Sequence, residues 1–316
     1  MKNDLKRLLM AQRARAAYAE NIEKDRTETE WANGTVQERA VETSAGKTRI
    51  LLYWPKQERG QGLPVFVNVH GGGFIQGSAG DDEAWCRQIS EAVGCAVVNI
   101  DYHLAPEYPF PVALEECYDV LKWIQSEGAV LGLDPSRVAV GGHSAGGNLT
   151  AALCLLARER QEFSILYQVL NYPPLDFTVD PFSKPSRDTL LTARAQEFFT
   201  ACYLFDQEQR ENPLASPLLA ESLAGLPAAL VISAEYDPLC AENALYARRL
   251  SAAGVSVTYK MFAGCMHAFT HFGPEPAATE AWMLIHEKLR QVFSRDRNEK
   301  HEPNAAQEQK KEADSE

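Results

Sequence analysis

Short apolar runs alternate with amphipathic helical patterns along most of the chain. Runs rich in β-branched residues predict buried strands at 63–70, 95–101, 138–141, 164–170, 229–234 and 255–261. Helical patterns occupy 82–93, 114–126, 149–157, 241–253 and 280–293 between and after them. Repeated strand–helix units with continuously apolar strands favour a mostly parallel central sheet with helices on both faces.

Two further strand patterns precede this series. They cover 35–41 and 48–54 and are joined by Thr43-Ser-Ala-Gly-Lys47, a short linker that contains glycine. Strand, glycine-containing turn and strand indicate a β-hairpin. We therefore expect an antiparallel edge on the otherwise parallel sheet.

Two helical patterns fall outside the repeating units. Residues 1 to about 30 predict an amphipathic helix, and Thr189–Leu204 predicts a second helix inside a long connection at about 176–212. One interpretation makes the first an ordinary surface helix and the second plain core packing. The other makes them a cap over a functional site, because long insertions in such folds usually serve function.

Composition and charge favour one large domain with an added cap. A chain of 316 residues with 45% hydrophobic content can bury a sizeable core. The predicted division is an N-terminal cap helix at 1–34, a catalytic domain at 35–293 that contains the insertion, and a disordered polar tail at 294–316. The net charge of −12 argues against nucleic acid or an anionic membrane as a partner.

The cysteines and the apolar runs indicate a soluble, cytoplasmic protein. Seven cysteines are scattered without a C-x-x-C pair, which argues for free thiols in a reducing compartment. No stretch approaches the ~18 apolar residues that span a bilayer, so stable membrane insertion is not expected. The sequence leaves the oligomeric state open, with a homodimer among the alternatives.

Gly142-x-Ser144-x-Gly146 is the strongest local signal in the chain. It lies between the apolar run at 138–141 and the helical pattern that begins at Leu149. A serine between glycines at a strand-to-helix turn is typical of a nucleophile elbow, in which the hydroxyl is exposed above the sheet. Ser144 is therefore the candidate nucleophile.

A serine hydroxyl needs a base to take its proton and an acid to orient that base. His267 is the candidate base, because it follows a predicted strand in a glycine-containing loop. His271 is interpreted as a surface or helix-start histidine, and the H-x-x-x-H spacing of the two lacks a third metal ligand. No metal site and no cofactor are predicted.

Asp237 is the candidate acid, at the carboxyl end of the strand predicted at 229–234 and just before a proline. Glu235 is the alternative acid. Asp176 and Asp180 are expected to be surface residues of the insertion.

His70-Gly71-Gly72-Gly73 follows another predicted strand and matches an oxyanion-binding loop. Glycines let such a loop approach a substrate closely and turn backbone N–H groups toward developing negative charge. The N–H of Ala145, directly after the candidate nucleophile, is expected to be a further donor.

These motifs together resemble the hormone-sensitive-lipase-like esterases, the bacterial family IV of the α/β-hydrolase fold. The motifs that carry the resemblance are His70-Gly-Gly-Gly-Phe74, Asp101-Tyr-His-Leu-Ala-Pro-Glu107, Gly142-His-Ser-Ala-Gly-Gly147, Asp237-Pro-Leu239 and His267-Ala-Phe269. The resemblance covers about residues 35–293. It implies a carboxylester hydrolase that acts on small, short- to medium-chain acyl esters without a cofactor, beneath a helical cap.

Two positions depart from the family pattern. His143 stands where Asp or Thr is usual, and His103 stands where Arg is usual. Neither removes a catalytic group, but both weaken assignment to a subfamily. Glu107 is expected to bond loops beneath the site.

Three functional hypotheses follow from the sequence. The first is a serine carboxylesterase. The second is an amidase or formamidase with the same residues, and the third is a ligand-binding module that keeps the fold without catalysis.

Overall fold

A computed structural model gives the structure of the protein and describes residues 2–25, 35–56, 62–185 and 187–301. The strands within these ranges are β1 (Thr35–Thr43), β2 (Gly46–Trp54), β3 (Leu63–Val69), β4 (Ala96–Asp101), β5 (Leu133–His143), β6 (Tyr167–Asn171), β7 (Ala228–Ala234) and β8 (Val257–Phe262). Every predicted strand forms. The largest difference is in β5, which begins five residues before the apolar run that predicted it.

The α-helices of the described residues are α1 (Lys2–Asp25), α2 (Glu83–Val93), α3 (Val112–Glu127), α4 (Ala145–Arg160), α5 (Ala193–Tyr203), α6 (Gln207–Glu211), α7 (Cys240–Ala252), α8 (Phe269–Phe272) and α9 (Glu275–His301). The part of the predicted N-terminal cap segment at 26–34 lies outside the described residues. The polar tail predicted from residue 294 begins within α9, and its remainder at 302–316 also lies outside them. None of the described helices combines the length and the apolar character that crossing a membrane requires.

All the strands belong to one sheet, in the order β1-β2-β4-β3-β5-β6-β7-β8. The six strands from β3 to β8 run parallel to one another. Val67 of β3 pairs with Val98 of β4 on one side and with Val140 of β5 on the other. β1 and β2 form an antiparallel hairpin, and β2 also pairs antiparallel with β4. The predicted parallel sheet with an antiparallel edge is confirmed.

Side chains of the fully buried strand β3 alternate between the two faces of the sheet. Val65, Val67 and Val69 belong to the core cluster that includes residues of α3, α4 and α7. Phe66 belongs to the cluster on the other face, with residues of α2 and α9. Because successive strand residues point to opposite faces, a continuous apolar run is the pattern that a sheet covered on both faces requires.

The carboxyl ends of four neighbouring strands bring the predicted chemistry to one edge of the sheet. β3 is followed by His70, β5 by Ser144, β7 by Asp237 after a short turn, and β8 by the loop that carries His267. Ligands of parallel α/β sheets bind at this edge. The connection between β6 and β7, which contains α5 and α6, also reaches it.

α1 is fixed to this same edge by Arg15. Its guanidinium donates to both carboxylate oxygens of Glu107, at 2.8 and 2.7 Å, and to the carbonyl oxygens of Ile75 (2.6 Å) and Ala105 (2.8 Å). These hydrogen bonds lower the pKa of the Glu107 carboxyl. Glu107 therefore has a structural role, which is to attach the N-terminal helix to this edge of the sheet.

His103, the second departure from the family pattern, pairs with a buried acid. Its Nδ1 lies 2.6 Å from Oε1 of Glu116, and its backbone N–H donates to Oε2 of the same carboxylate. Thr48 Oγ1 donates to Glu116 at 2.6 Å. Glu116 is fully buried, so His103 satisfies an acid of the scaffold rather than a group of the site.

Candidate active site

Ser144 occupies a sharp turn between the end of β5 and the start of α4. Its backbone has φ of 53° and ψ of −120°, a conformation that costs a non-glycine residue free energy and clusters at functional sites. A Cβ on Gly142 would lie 2.5 Å from the carbonyl carbon of Gly146, and one on Gly146 would lie 2.0 Å from the oxygen of Val69. Both glycines are therefore required by close backbone approach.

Ser144, His267 and Asp237 form one chain of hydrogen bonds. His267 Nε2 lies 2.8 Å from Ser144 Oγ, and His267 Nδ1 lies 2.7 Å from Asp237 Oδ2. The backbone N–H of Leu239 donates to Asp237 Oδ1 at 2.9 Å. The side chains of His267 and Asp237 are 6% and 0% exposed, so water competes little for these bonds.

Glu235, the alternative acid, points elsewhere. Its Oε2 accepts the backbone N–H of Gly264 at 2.7 Å and thereby braces the loop before the candidate base. Asp237 is therefore the carboxylate that contacts His267.

The loop after β3 presents backbone N–H groups beside Ser144. Gly72 and Gly73 have φ of 113° and 60°, values that favour glycine, and the N–H groups of Ile75 and Gln76 donate to the Gly72 carbonyl. Within the described part of the chain, the N–H groups of Gly72, Gly73 and Ala145 have no acceptor. They are therefore free to donate to a ligand at Ser144.

The first glycine of the loop is engaged differently. The N–H of Gly71 donates to Nε2 of His143 at 3.0 Å, and the Gly71 carbonyl oxygen lies 2.7 Å from His70 Nδ1. Of the four predicted oxyanion donors, Gly71 thus has its N–H directed into the protein.

His271 is not the surface residue that its position in the sequence suggested. Its side chain is 10% exposed and stacks on the ring of His143, with centroids 3.9 Å apart. Its Nε2 lies 3.4 Å from Oδ1 of Asp82, which also lies 3.2 Å from His143 Nε2. His271 does lie in the short helix α8, but the surface part of the prediction is wrong because its side chain packs against the Asp82 turn, a contact that local spacing does not encode.

Burial and neighbouring charges shift the pKa values of Asp82 and His271. Burial alone would raise the pKa of Asp82, but the charges and hydrogen bonds of His143 and His271 hold it well below its usual range. Burial, and after it the charge of the neighbouring His143, lowers the pKa of His271 to about 4. Asp82 Oδ2 accepts from Asn68 at 2.8 Å, which satisfies its second oxygen.

The ligand-type atoms of Asp82, His143 and His271 lie within 4.8 Å of one another. A shared metal ion would need both imidazole nitrogens to point at one centre. The two rings are instead stacked with an interplanar angle of 27°, and His143 Nε2 already accepts from Gly71. We therefore interpret the cluster as a hydrogen-bonded network.

The insertion braces the loops of the candidate acid and base. Asp188 Oδ2 accepts a hydrogen bond from the backbone N–H of His267. The backbone N–H of Arg187 donates to the carbonyl of Tyr236, the residue before Asp237, at 3.2 Å. No local pattern marks Asp188 as a site residue, since these contacts join segments far apart in the chain.

A cavity of about 260 Å³ opens beside Ser144. Its lining combines glycine and alanine of the candidate oxyanion site with Phe177, Leu191 and Phe199 of the insertion. The polar residues that line it are Asp176, Thr178, Asp180, Lys184, Gln196, Glu197, Thr200 and Arg210. The insertion therefore forms one wall of the cavity, and both aspartates expected at the surface also border it.

Phe199 connects this wall to the oxyanion loop. A Cβ on Gly73 would lie 2.6 Å from Cγ of Phe199, so the phenyl ring lies directly on this glycine. In the inserted helix α5, the side chain of Cys202 is buried and that of Phe199 lines the cavity.

The chain is similar to known esterases over most of its length. Residues 66–271 match the family described as the alpha/beta hydrolase fold. An arylesterase of Saccharolobus solfataricus is 34% identical over 246 residues, which cover 77% of this chain and 79% of the arylesterase. Carboxylesterase NlhH of Mycobacterium tuberculosis is 35% identical over 238 residues, with 73% and 74% covered.

The fold is shared with solved esterase structures. The crystal structure of EstE1, a thermophilic and thermostable carboxylesterase cloned from a metagenomic library, superimposes with a TM-score of 0.82 at 36% sequence identity. The superposition covers 90% of this chain and 97% of EstE1.

Proposed function

The chain belongs to the hormone-sensitive-lipase-like esterases of the α/β-hydrolase fold, and from this membership and the site geometry we propose that it is a serine carboxylesterase. The observation that carries the proposal is the hydrogen bond of 2.8 Å between His267 Nε2 and Ser144 Oγ, with Asp237 on the other ring nitrogen. This arrangement suits activation of a serine hydroxyl for attack on an acyl carbon. No cofactor enters the proposed reaction.

In the first half of the reaction, Ser144 Oγ attacks the ester carbonyl carbon while its proton passes to His267 Nε2. Asp237, which accepts from Nδ1–H, fixes the tautomer with Nε2 free and stabilises the imidazolium that forms. The carbonyl double bond then re-forms, the alkoxy group leaves with the proton from His267, and the acyl group remains on Ser144.

The tetrahedral intermediates place negative charge on the former carbonyl oxygen. We assign Gly72, Gly73 and Ala145 as its hydrogen-bond donors, because Gly73 and Ala145 line the cavity together with Ser144 and the N–H groups of all three have no acceptor in the described part of the protein. Loss of one such donor typically costs about 10²–10³ in kcat. Gly71 has a supporting role, since its N–H donates to His143.

Water completes the cycle. His267 takes a proton from a water molecule, the resulting hydroxide attacks the acyl carbon, and Ser144 Oγ leaves with that proton. The products are a carboxylic acid and an alcohol, and the enzyme returns to its starting state.

The size of the cavity beneath the proposed cap indicates the size of the substrate. We assign α1 and the insertion at about 176–212 to a cap over the catalytic domain, because α1 is bonded to the site edge by Arg15 and the insertion lines the cavity. A cavity of about 260 Å³ is near the lower end of small-molecule sites, roughly 300–1,000 Å³. Short- to medium-chain acyl esters fit this volume.

The predicted cytoplasmic location is supported by the cysteines, because all seven are free thiols and six of them are buried. The homodimer stays a prediction, which light scattering on the purified protein would test.

The proposed function is tested with matched substrates. p-Nitrophenyl acetate and p-nitroacetanilide differ in the ester oxygen and the amide nitrogen, so their kcat/KM ratio separates an esterase from an amidase. We expect turnover of the ester and little of the anilide, with none of either by Ser144→Ala. Preferred turnover of the anilide or an N-formyl substrate would support the amidase or formamidase, and failure to turn over any of these substrates would support the ligand-binding module.

A further inference from the structure

His143, directly before the nucleophile, contacts the oxyanion loop through both its nitrogen and its ring. The N–H of Gly71 donates to His143 Nε2 at 3.0 Å. A Cβ on Gly71 would lie 2.6 Å from Cε1 and Nδ1 of the imidazole, so the ring rests on the Gly71 backbone. This contact joins the turn that holds Ser144 to the loop that holds Gly72 and Gly73.

The direction of the hydrogen bond fixes the protonation state of the ring. A backbone N–H can only donate, so His143 Nε2 must carry a lone pair and the proton of the neutral ring lies on Nδ1. The same Nε2 lies 3.2 Å from Asp82 Oδ1. A proton on Nε2 would turn this nitrogen into a donor, and its partner would change from Gly71 to the Asp82 carboxylate.

The surroundings restrict His143 to these two partners. Its ring stacks on His271 at 3.9 Å and faces the edge of Tyr172 at 6.4 Å. The titratable groups that face it are Asp82 from the turn before α2, His271 from α8, Tyr172 after β6, and His70 of the oxyanion loop. Because the ring is packed on two sides, protonation exchanges hydrogen-bond partners without requiring the side chain to swing out.

The other atoms of Gly71 are fixed independently. Its carbonyl oxygen accepts from His70 Nδ1, and the His70 ring stacks on Tyr102 at 4.2 Å. Of the two hydrogen bonds described at Gly71, the one from its N–H therefore depends on the protonation of His143, the residue before the nucleophile. Loss of it leaves a buried donor unpaired, one residue from the N–H of Gly72.

We propose that His143 is a positioning residue of the oxyanion loop, which it holds through Gly71 N–H while Nε2 is unprotonated and releases when Nε2 takes a proton. The inference rests on the proposed function, because it assigns Gly72 and Gly73 as oxyanion donors. Full activity then requires two unprotonated histidines, His267 as the base and His143 as the support of the loop.

The test compares His143→Gln with His143→Leu. Gln places an amide oxygen near the position of Nε2 and accepts from Gly71 at any pH, whereas Leu fills similar space without an acceptor. For p-nitrophenyl acetate at neutral pH, we expect Leu to lower kcat about tenfold to a hundredfold with KM within about threefold, since the oxyanion bond forms in the transition state. Gln should restore kcat to within about threefold of the wild type.

The pH profile separates positioning from a merely structural role. As the pH falls, log kcat of the wild type should decline with a slope above 1 over the range in which both histidines take up protons, because release of Gly71 adds its tenfold to hundredfold loss to the loss of the base. His143→Gln should give a slope near 1. A Leu variant with wild-type kcat, or a Gln variant with the wild-type acid limb, would overturn the inference.

A measurement without turnover keeps the inference separate from the proposed function. In ¹⁵N NMR spectra of the histidine rings, His143 should show a proton on Nδ1 and an unprotonated Nε2 at neutral pH. The amide signal of Gly71 should shift with the protonation of that ring in acid. An Nε2 that carries the proton at neutral pH would refute the switch even if the protein hydrolyses esters.

Discussion

Asp188 Oδ2 accepts the backbone N–H of His267, so the insertion is hydrogen-bonded directly to the residue proposed as the catalytic base. The other oxygen, Oδ1, accepts the N–H groups of Leu190 and Leu191 at 2.7 and 2.9 Å. One carboxylate therefore organises the turn that leads into α5 and at the same time holds the loop after β8. The wall of the cavity and the position of the base are set by the same side chain.

Replacing Asp188 with Ala should lower kcat for p-nitrophenyl acetate about tenfold to a hundredfold, because small displacements of a general base are costly. Asp188→Asn keeps one acceptor oxygen, so its kcat should lie between those of the wild type and Asp188→Ala. The control is Asp206→Ala, which removes the N-cap of α6 in the same insertion without changing a residue that contacts Ser144, His267 or Asp237. Equal activity of the Asp188→Ala and Asp206→Ala variants would show that the bond to His267 does not position the base.

Arg15 should stabilise the attachment of α1. Arg15→Ala removes four hydrogen bonds, two of them to the Glu107 carboxylate, and leaves the carbonyls of Ile75 and Ala105 without this donor. We expect a loss of about 1–2 kcal/mol in the free energy of unfolding, after allowance for partial exposure of the ion pair. Differential scanning calorimetry should show a melting temperature lower by about 2–5 °C.

Arg13→Ala is the matched control for this measurement, since Arg13 is an exposed residue of the same helix. A melting temperature unchanged in both variants would mean that α1 adds nothing to stability through Arg15.

Phe199 should set the acyl-chain preference. Its ring lies on Gly73 and lines the cavity, so Phe199→Ala enlarges the space beside Ser144. The kcat/KM ratio of p-nitrophenyl octanoate to the acetate should rise about tenfold, a value in the range of methylene discrimination by an apolar pocket. Phe198→Ala, in a neighbouring residue that does not line the cavity, should leave the ratio within about twofold.

His286 predicts a pH dependence of stability away from the site. Burial lowers its pKa to about 4, with a smaller effect of Arg290, whereas the unfolded chain keeps a value near 6.5. Between these values the unfolded state binds more protons, so stability falls as the pH drops from about 6.5 toward 4. His286→Leu removes this contribution.

The melting temperature of His286→Leu relative to the wild type should therefore rise as the pH is lowered through that window, with esterase activity unchanged at neutral pH. A difference that is constant with pH would contradict the burial argument.

The sequence predicted the scaffold well because its signals are local. The apolar β-branched runs that formed β3, β4 and β7 are bounded by polar residues or glycine: His70 and Gly71 follow β3, Asp101 ends β4, and Glu235 follows β7. The family motifs also gave the order of Ser144, Asp237 and His267 along the chain.

The remaining site residues could not be predicted because their roles arise from packing. Asp188 lies 79 positions from His267 and Asp82 lies 61 positions from His143, and neither belongs to a motif. The local pattern of His271 indicates a short helix, which forms, but it does not indicate that the side chain is buried. Only the fold brings its ring against His143 and makes it part of the network behind the oxyanion loop.

Covalent labelling of the protein shows whether Ser144 is the nucleophile. Incubation with a fluorophosphonate probe should form one Ser144 Oγ–P bond with loss of fluoride, so that the intact protein gains the mass of one probe less HF. Peptide mapping should place the adduct on Ser144, and ester hydrolysis should be lost in parallel. Ser144→Ala, a change too small to disturb the fold around the elbow, should neither label nor turn over ester. Labelling at another residue, or an Ser144→Ala variant that still hydrolyses p-nitrophenyl acetate, would contradict the account.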